Sequence, residues 1–314
     1  MTSNLFAKPY HYISEKQYFL VGSSIVRLAV GIHIMFTYLV YYFQRHDVWG
    51  IHSFVPADSN VHFFSLYTLN NSIVWFETIY ILGILVNFLF LIGLKTNFIT
   101  PINFLFVWSL YNENPFIMDG GNNILFIVLF FLMFANINEY FSVETKQDTN
   151  NKSKNIKNIF HNYAIFICLA QVCILYFFSG FFKAQGDMWQ HGTALYYILN
   201  VDEFTLPSVA PYIINSPLLL FFGAYSSILM QLFFPFLVTN KYTKIITLFG
   251  SILFHLGIIF VMGLIQFGLI MIALDLLFIT DKEYKKGRVI AKRTLSVIMK
   301  RSDTNVSQKT STEI

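Results

Sequence analysis

The residue whose type and position point most directly to chemistry is Lys183. It ends the apolar run YFFSGFFK, and on a helix it shares a face with Tyr176, Ser179 and Gly180, because residues three and four positions apart are neighbours. An amine beside apolar side chains loses hydration, which favours its neutral form and allows a lysine to act as a general base or nucleophile. The alternative is a lysine at a helix end whose charged group snorkels to the membrane boundary.

Glu77 is the acidic candidate for the same chemistry. It lies one turn inside the second apolar run, near the membrane boundary at which Lys183 is also expected. Two interpretations are open at this point: a structural Glu–Lys pair, and a catalytic acid that acts beside a catalytic base.

Three predicted outer segments together contain Gly, Trp, His, Asn and acidic residues: 44–56, 112–123 and 183–192. They supply six candidate substrate-binding residues, namely Trp49, Asp119, Asn122, Asn123, Trp189 and His191. The Gly-Gly pair after Asp119 permits positive φ and a close approach of a ligand or helix. Asn122 and Asn123 are expected to cap the next helix, whose free N–H groups would attract an anion. A simple tight turn with a cap is the alternative.

No metal site is predicted. The eight histidines include no pair at the i, i+4 spacing that metal ligands on a helix use, and no cysteine joins them. His255 lies inside an apolar run, where an imidazole without a partner is costly, so it should face the interior of the bundle. Gln171 and Gln231 are expected to form hydrogen bonds between helices.

The composition places these residues in a membrane protein. Hydrophobic residues make up 55% of the 314 and aromatic residues 18%, whereas charged residues make up only 12%. A soluble protein usually has about twice that charged fraction. A soluble or disordered chain is therefore excluded, and we predict an all-α polytopic helix bundle in the lipid bilayer of the cell membrane.

Eight apolar runs are predicted to be transmembrane helices: 20–43, 73–94, 98–112, 122–138, 159–182, 217–239, 245–264 and 266–280. The first, second, fifth, sixth and seventh satisfy the length of about 20 residues that a crossing needs. The other three are shorter, which a small tilt or shielding by neighbours accommodates. Together they form one membrane domain over residues 1–281. Three charged residues lie inside the runs: Arg27, Glu77 and Asp275.

The basic residues predict the orientation of the bundle. With a cytoplasmic N-terminus, 18 of the 21 Lys and Arg residues lie on the inner side, and only Arg45 and Lys183 lie on the outer side. Both termini are then cytoplasmic, residues 143–158 form a flexible inner loop, and 282–314 form a basic inner tail. This placement accounts for the net charge of +4 without nucleic acid as a partner.

Arg27 and Asp275 are predicted to form a buried structural ion pair. Arg27 is seven residues from the inner end of its run, and Asp275 is five residues from the inner end of its own. At a rise of ~1.5 Å per residue these positions are about 10.5 and 7.5 Å deep, so the two side chains can meet. Either charge would be costly in hydrocarbon without a partner.

Three segments resemble the HTTM family, the membrane-domain family related to vitamin K-dependent gamma-carboxylase. YFFSGFFKAQGDMWQHGTALYYIL is similar to a family segment with an aromatic-rich helix, a Gly, a Lys, and then Trp, Gly and a Tyr-rich helix. NENPFIMDGGNNILF resembles the family's outer turn before the next span. FHLGIIFVMGLIQFGLIMIALDLLF resembles a later pair of helices, and Arg27 also fits. The resemblance covers most of residues 20–280.

The resemblance implies a role and a cofactor for Lys183. It matches the lysine with which the carboxylases deprotonate vitamin K hydroquinone, so a reduced quinone is the implied cofactor. Oxygenation of that quinol yields a strong base, which removes a glutamate γ-proton before CO2 adds. Two departures bear on this expectation. Asn122-Asn123 stand where the carboxylases have Asn-His, and this sequence has no counterpart of their large β-rich region.

A second branch of the family is the B component of the sporulation-delaying toxin system, a short HTTM-type protein needed to mature a secreted peptide. The size of the chain, its Asp-Gly-Gly turn and its GTALYY run resemble that branch. The resemblance therefore also implies a secreted peptide precursor and an accessory maturation protein as partners.

Three functions remain open from the sequence. The first is an enzyme that modifies or matures a secreted peptide at the outer face with Lys183 as base, with quinol-dependent carboxylation as its alternative form. The second is a non-catalytic factor that holds or exports a peptide for another protein. The third is a transporter, which ranks last because the two halves show no paired breaks near the midplane.

Overall fold

The computed structural model describes residues 13–50, 53–54, 64–144, 151–290 and 292–293, with the backbone alone for 151–154. In this part of the chain the regular structure is helical, and no strand occurs. The eight long helices are α1 Leu20–Val40, α2 Ile73–Ile92, α3 Thr96–Glu113, α4 Gly120–Leu132, α5 Asn151–Gln185, α6 Pro217–Thr239, α7 Lys244–Gly257 and α8 Ile265–Leu277. The protein is an all-α polytopic helix bundle, which confirms the predicted fold class.

Five helical segments of the described chain are long and apolar enough to cross a membrane. They are α1, α2, residues 155–185 of α5, α6, and Lys244–Met262, in which the π-helical turn Ile258–Met262 continues α7. α4 and α8 are apolar but have only 13 residues each. α3 has 18 residues, with Thr96, Thr100 and Asn103 among its buried ones. The three helices outside the set of five correspond to the three runs that the sequence predicts as short.

The helices pack around α8, which contacts α1, α4, α5 and α7. α5 and α6 lie against each other along much of their length, and α1 also packs on α2. Residues 281–290 continue as a helix, and the Asp281 carboxylate accepts the backbone N–H groups of Leu20 at 3.2 Å and Val21 at 2.9 Å. This contact caps the start of α1, where helix N–H groups lack partners within the helix.

The opposite end of the bundle carries Val40, Glu113 and Met262, at which α1, α3 and the continuation of α7 finish. We call this end the outer end, after the orientation that the basic residues predict. Four short helices occur in the segments that follow α1 and α5: Arg45–Trp49, Asp187–Gln190, Ala194–Leu199 and Ala210–Ile214.

The predicted ion pair between Arg27 and Asp275 is wrong. Arg27 is completely buried, and its guanidinium donates to backbone carbonyls instead. Nε donates to Ile137 at 2.9 Å, and the two terminal nitrogens donate to Phe90 at 3.1 Å, to Leu91, to Tyr140 at 3.4 Å and to Phe141 at 2.5 Å. Phe90 and Leu91 belong to the last turn of α2, whose carbonyls have no partner within the helix.

The geometry at the end of α2 explains why the arginine serves as a cap. Gly93 follows the helix with φ +75°, and a Cβ at that position would come within 3.0 Å of the Arg27 guanidinium. The negative end of the helix dipole and the five donors of the guanidinium suit each other, so the charge is satisfied without a carboxylate. The predicted pairing rested on depth alone, and depth does not determine which side of a helix a residue faces.

The predicted flexible loop 143–158 is wrong in its second half. Residues 145–150 lie outside the described residues, but α5 begins at Asn151 and includes 151–158. Polar side chains in the first turns of α5 contact backbone carbonyls of the segment that precedes α1. Asn158 donates to the carbonyl of Ser14 at 2.9 Å, and His161 contacts the carbonyl of Tyr18 at 2.7 Å. Asn-rich sequence therefore forms part of a helix here because its side chains find backbone partners. Of the predicted tail, residues 291 and 294–314 lie outside the described chain.

Candidate functional site

Lys183 lies one turn beyond a close approach of α5 to α6 at Gly180. A Cβ at Gly180 would collide with the backbone nitrogen of Leu232, so only glycine permits this contact. One turn further along α5, Nζ of Lys183 donates to Oε1 of Gln231 at 2.6 Å. The glycine thus brings the two polar side chains together, and the expected hydrogen bond of Gln231 between helices is present.

The position of Gln231 on α6 places Lys183 within the depth of an apolar helix. Gln231 is 14 residues after Pro217 and eight before Thr239, which corresponds to about 21 and 12 Å along the axis. Since the whole of α6 is one of the segments able to span a membrane, Lys183 meets it nearer the middle than the end. α5 stops at Gln185, but α6 continues outward beyond it.

The chain after α5 covers the outer half of α6. The Tyr225 hydroxyl donates to the carbonyl of Gln190, and Gly192 and Gly223 allow close contacts with Phe221 and Leu195. The residues following Lys183 thus fold along α6 towards the outer end.

The side chain of Lys183 is half-buried and has two partners. Besides the Gln231 amide, its ammonium lies over the Trp189 ring, 5.2 Å from the centroid. Within the described residues no carboxylate forms an ion pair with it. An amide oxygen and an aromatic face stabilise an ammonium less than a carboxylate does.

Beneath Lys183 lies a continuous chain of polar side chains, which we call the Asp275 chain: His255, Tyr176, Ser251 and Asp275. Nε2 of His255 is 2.7 Å from the Tyr176 hydroxyl, which is 2.6 Å from the Ser251 hydroxyl. Ser251 in turn is 2.5 Å from Oδ2 of Asp275. Tyr176 also lies 3.1 and 3.2 Å from the two carboxylate oxygens.

Three helices build the Asp275 chain, and all four side chains are at most 1% exposed. Tyr176 comes from α5, where it lies two turns below Lys183 on the same face, and it stacks on Phe234 of α6 with ring centroids 4.0 Å apart. Ser251 and His255 are one turn apart on α7, and Asp275 faces them from α8. His255 faces the interior, as its sequence position predicts.

A second polar cluster, the Asn122 cluster, consists of His33, Tyr111 and Asn122. Oδ1 of Asn122 lies 2.8 Å from Nε2 of His33 and accepts the Tyr111 hydroxyl at 2.7 Å. The predicted cap at Asn122 and Asn123 is wrong: α4 begins at Gly120, and the Asp119 carboxylate caps it by accepting the N–H of Asn122 at 2.8 Å. Asn123 is exposed. Of these candidates only Asn122 belongs to a buried polar cluster.

Glu77 contacts Arg45 and His46 and not Lys183, so both interpretations that place Glu77 and Lys183 together are wrong. Its carboxylate accepts three hydrogen bonds from the Arg45 guanidinium, at 2.8, 3.1 and 3.1 Å, and lies 2.6 Å from Nε2 of His46. The hydrogen bonds from Arg45 to this carboxylate raise the pKa of the guanidinium above the ordinary arginine value. The group joins the start of α2 to the short helix Arg45–Trp49 and is a structural ion pair at the outer end.

The two tryptophan candidates differ. Trp49 is 2% exposed and packs edge-on against Tyr41, so it belongs to the core and cannot contact a substrate. Trp189 lies beside Lys183, as described above. His191 is exposed two residues further on. Among the predicted binding residues, Trp189 is thus the one that the structure brings to Lys183.

Sequence reasoning missed Ser251, His33 and Tyr111 as members of polar clusters. A signal existed for Ser251, which is placed four residues before His255 in an apolar run and so shares its helix face. For His33 the signal was a histidine inside the first apolar run, which needs a polar partner. Tyr111 had none, because tyrosine is common at helix ends in membranes.

Two cavities of about 320 and 270 Å³ lie at the inner end of the bundle rather than at Lys183. Phe19, Phe166 and Leu169 line both of them. Their walls are largely apolar, so they are suited to lipid chains and not to the chemistry of the polar clusters. No group of three or more His, Cys, Asp or Glu residues that could hold a metal ion occurs in the described part of the chain.

Comparison of the chain with models of known protein families, with curated proteins and with solved structures finds no match.

Proposed function

We propose that the protein is a membrane enzyme of the HTTM type that matures a secreted peptide from the outer side, with Lys183 as its general base. The observation that carries this proposal is the setting of Lys183 within the depth of α6. Its amine is hydrogen-bonded to the neutral amide of Gln231 and has no ion-paired carboxylate among the described residues. A charge in such surroundings is costly, which favours the neutral amine that a base requires.

The snorkelling alternative is less well supported by this geometry. A lysine that only anchors a helix end places its ammonium in the polar interface. Lys183 instead lies about 21 Å along α6 from its outer end and points to a side chain of that helix. Holding an unpaired amine there stabilises nothing by itself, and residues of that kind inside membrane helices commonly serve function.

The Asn122 cluster favours a reduced quinone as cofactor. The resemblance to the carboxylases implies an Asn-His pair at the start of this helix, and the sequence lacks the histidine. In the structure His33 of α1 places its imidazole 2.8 Å from Asn122, so the pair exists in space although not in sequence. Lys183 and the face of Trp189 suit a flat, weakly acidic ring. A bound quinol would supply the reducing equivalents, and Lys183 would take its hydroxyl proton.

A direct test compares two lysine variants in a maturation assay. Purified protein in lipid vesicles is incubated with a reduced quinone and a secreted peptide precursor, and the peptide mass is measured. Lys183→Arg should abolish the mass change because a guanidinium does not act as a base in this range. Lys244→Arg is the matched control, since Lys244 pairs with Glu283 at 2.6 Å and lies at the inner end.

Each outcome decides between the functions. Loss in Lys183→Arg with a normal protein level and activity in Lys244→Arg supports the base. Full activity of Lys183→Arg makes the lysine an anchor and overturns the proposal. A peptide that is bound or exported by the wild type without any change of mass favours the non-catalytic factor.

A further inference from the structure

The hydrogen bonds of the Asp275 chain cannot all be formed by its hydroxyl protons alone. Three short contacts link His255 to Tyr176, Tyr176 to Ser251, and Ser251 to Asp275. Each contact needs one proton between its two atoms. The two hydroxyl groups have one proton each. The third must therefore reside on Nε2 of the imidazole or on the carboxyl group.

These two choices give two complete arrangements of the same chain. In the first, the carboxylic acid of Asp275 donates to Ser251, Ser251 donates to Tyr176, and Tyr176 donates to Nε2 of His255. In the second, Nε2–H of His255 donates to Tyr176, and the direction continues to a carboxylate at Asp275. The two arrangements differ only in the positions of three protons. Each of these protons moves from one heavy atom to the other within its own hydrogen bond.

From this geometry we propose that the Asp275 chain is a proton relay that takes the proton collected by Lys183 and stores it on Asp275. The base function rests on the proposed function above, whereas the relay itself rests on the contacts of the chain. Within the chain no heavy atom has to move, since all three distances are already 2.5–2.7 Å. Only the first step, from Lys183 to His255, requires the amine to leave Gln231.

The open end of the relay is Nδ1 of His255. This atom is buried and has no hydrogen-bond partner among the described residues, although buried polar atoms usually have one. His255 is one turn outward of Ser251 on α7, and Lys183 is two turns outward of Tyr176 on α5, so the imidazole is on the Lys183 side of the chain. The imidazole therefore contacts Tyr176 through Nε2, and its Nδ1 remains available to accept a proton.

The transfer balances without a further reactant. The Lys183 ammonium loses one proton, and Nδ1 of His255 gains one. Nε2–H passes its proton to Tyr176, Tyr176 passes its own to Ser251, and Ser251 passes its own to the Asp275 carboxylate. The products are a neutral amine, the other tautomer of the imidazole, unchanged hydroxyls and a carboxylic acid. Only N–H and O–H bonds are broken and formed.

The relay predicts how fast the Asp275 carboxyl exchanges its proton with solvent. Asp275 is not exposed at all, so exchange proceeds through the chain or by opening of the bundle. Infrared spectroscopy of the full chain in lipid detects a carboxylic acid by its C=O stretch, and transfer to D2O shifts that band as the proton is replaced. Asp275→Asn assigns the band by removing it.

Three hydroxyl variants then separate the relay from simple packing. Tyr176→Phe keeps the ring that stacks on Phe234 but interrupts the chain, and it should slow exchange by about tenfold or more, or ~1.4 kcal/mol of barrier. Ser251→Ala should slow exchange less, because Tyr176 still contacts Asp275 directly at 3.1 Å. Tyr80→Phe is the control, since this buried hydroxyl donates only to the carbonyl of Tyr38.

The outcomes distinguish the relay from the base. Equal exchange rates in the wild type and Tyr176→Phe, or absence of any carboxylic acid band that Asp275→Asn removes, overturn the relay and leave the Lys183 test untouched. A Tyr176-dependent exchange supports the relay. If Lys183→Arg retains full maturation activity while exchange still depends on Tyr176, the base proposal fails and the proton relay stands.

Discussion

Arg27 and Lys183 are both basic side chains inside the apolar helices, yet their surroundings are opposite. Arg27 is fully buried and donates to the carbonyls of five residues, so its donors are well used. Lys183 donates to one amide oxygen and lies over one aromatic ring. The acceptors of the Arg27 guanidinium are backbone carbonyls, whose positions the folded backbone fixes. The partners of Lys183 are side chains, which can change rotamer.

This difference separates a structural charge from a chemical one. A charge whose partners satisfy it completely holds helices together and has no capacity left for a ligand. A charge with few partners is destabilising, and such residues are retained where function needs them. The contrast can be tested by its effects on stability, which should be opposite in sign for the two residues.

The largest effect is expected for Arg27→Met. Removal of the guanidinium leaves the last carbonyls of α2 and those of the 137–141 segment without donors in a dry interior. The loss should be about 3–5 kcal/mol in the free energy of unfolding, as for other broken buried charge networks. Denaturant unfolding in mixed micelles measures it. Arg27→Lys should recover only a small part, because one ammonium cannot reach carbonyls on two segments.

A smaller effect of opposite sign is expected for Lys183→Met. Methionine fills a similar volume and removes the cost of an amine without a carboxylate, so the protein should keep its stability or gain about 1 kcal/mol. The same unfolding measurement applies, together with the maturation assay, in which activity should be lost. A destabilisation as large as that of Arg27→Met would show that Lys183 is a structural residue too.

The sequence predicts much of this bundle because apolar length is a property of a single helix. The run 217–239 coincides with α6, and 73–94 with α2 to within two residues. The errors concern how helices face each other. Arg27 and Asp275 were placed at compatible depths, but Arg27 faces the end of α2, and Asp275 faces α5 and α7.

The candidate site shows the same limit. Lys183 could be singled out by its type and its neighbours in the chain, whereas its partner Gln231 is 48 residues away and is brought near by the close contact at Gly180. Glu77 shares a predicted boundary with Lys183 but is held by Arg45, which is only 32 residues away. Which side chains meet across helices depends on such lateral contacts, which a periodic pattern does not encode.

A third prediction concerns Glu77 and tests its structural assignment. Glu77→Gln should cost about 1 kcal/mol of stability, since its partly exposed ion pair with Arg45 is supported by several hydrogen bonds. Peptide maturation by the folded variant should remain at the wild-type level. Loss of activity with unchanged unfolding would instead return Glu77 to the catalytic group.

The smallest effect is expected at the inner end, where Lys244 and Glu283 form a pair between ordinary charged partners. Burial opposes ionisation of Glu283, but hydrogen bonds from Lys244 and Thr280 outweigh it, so the pKa of the carboxyl lies below its usual 4.5. A carboxyl with a depressed pKa contributes stability above that value and loses it as the pH falls through its folded pKa. Glu283 is 35% exposed, so solvent screening limits the contribution to less than about 1 kcal/mol.

Glu283→Gln should therefore lower the unfolding free energy slightly at neutral pH, and the difference from the wild type should vanish as both are acidified below the usual glutamate range. A difference that persists in acid would mean that Glu283 acts through its hydrogen bonds to Thr280, at 2.7 and 2.8 Å, rather than through its charge.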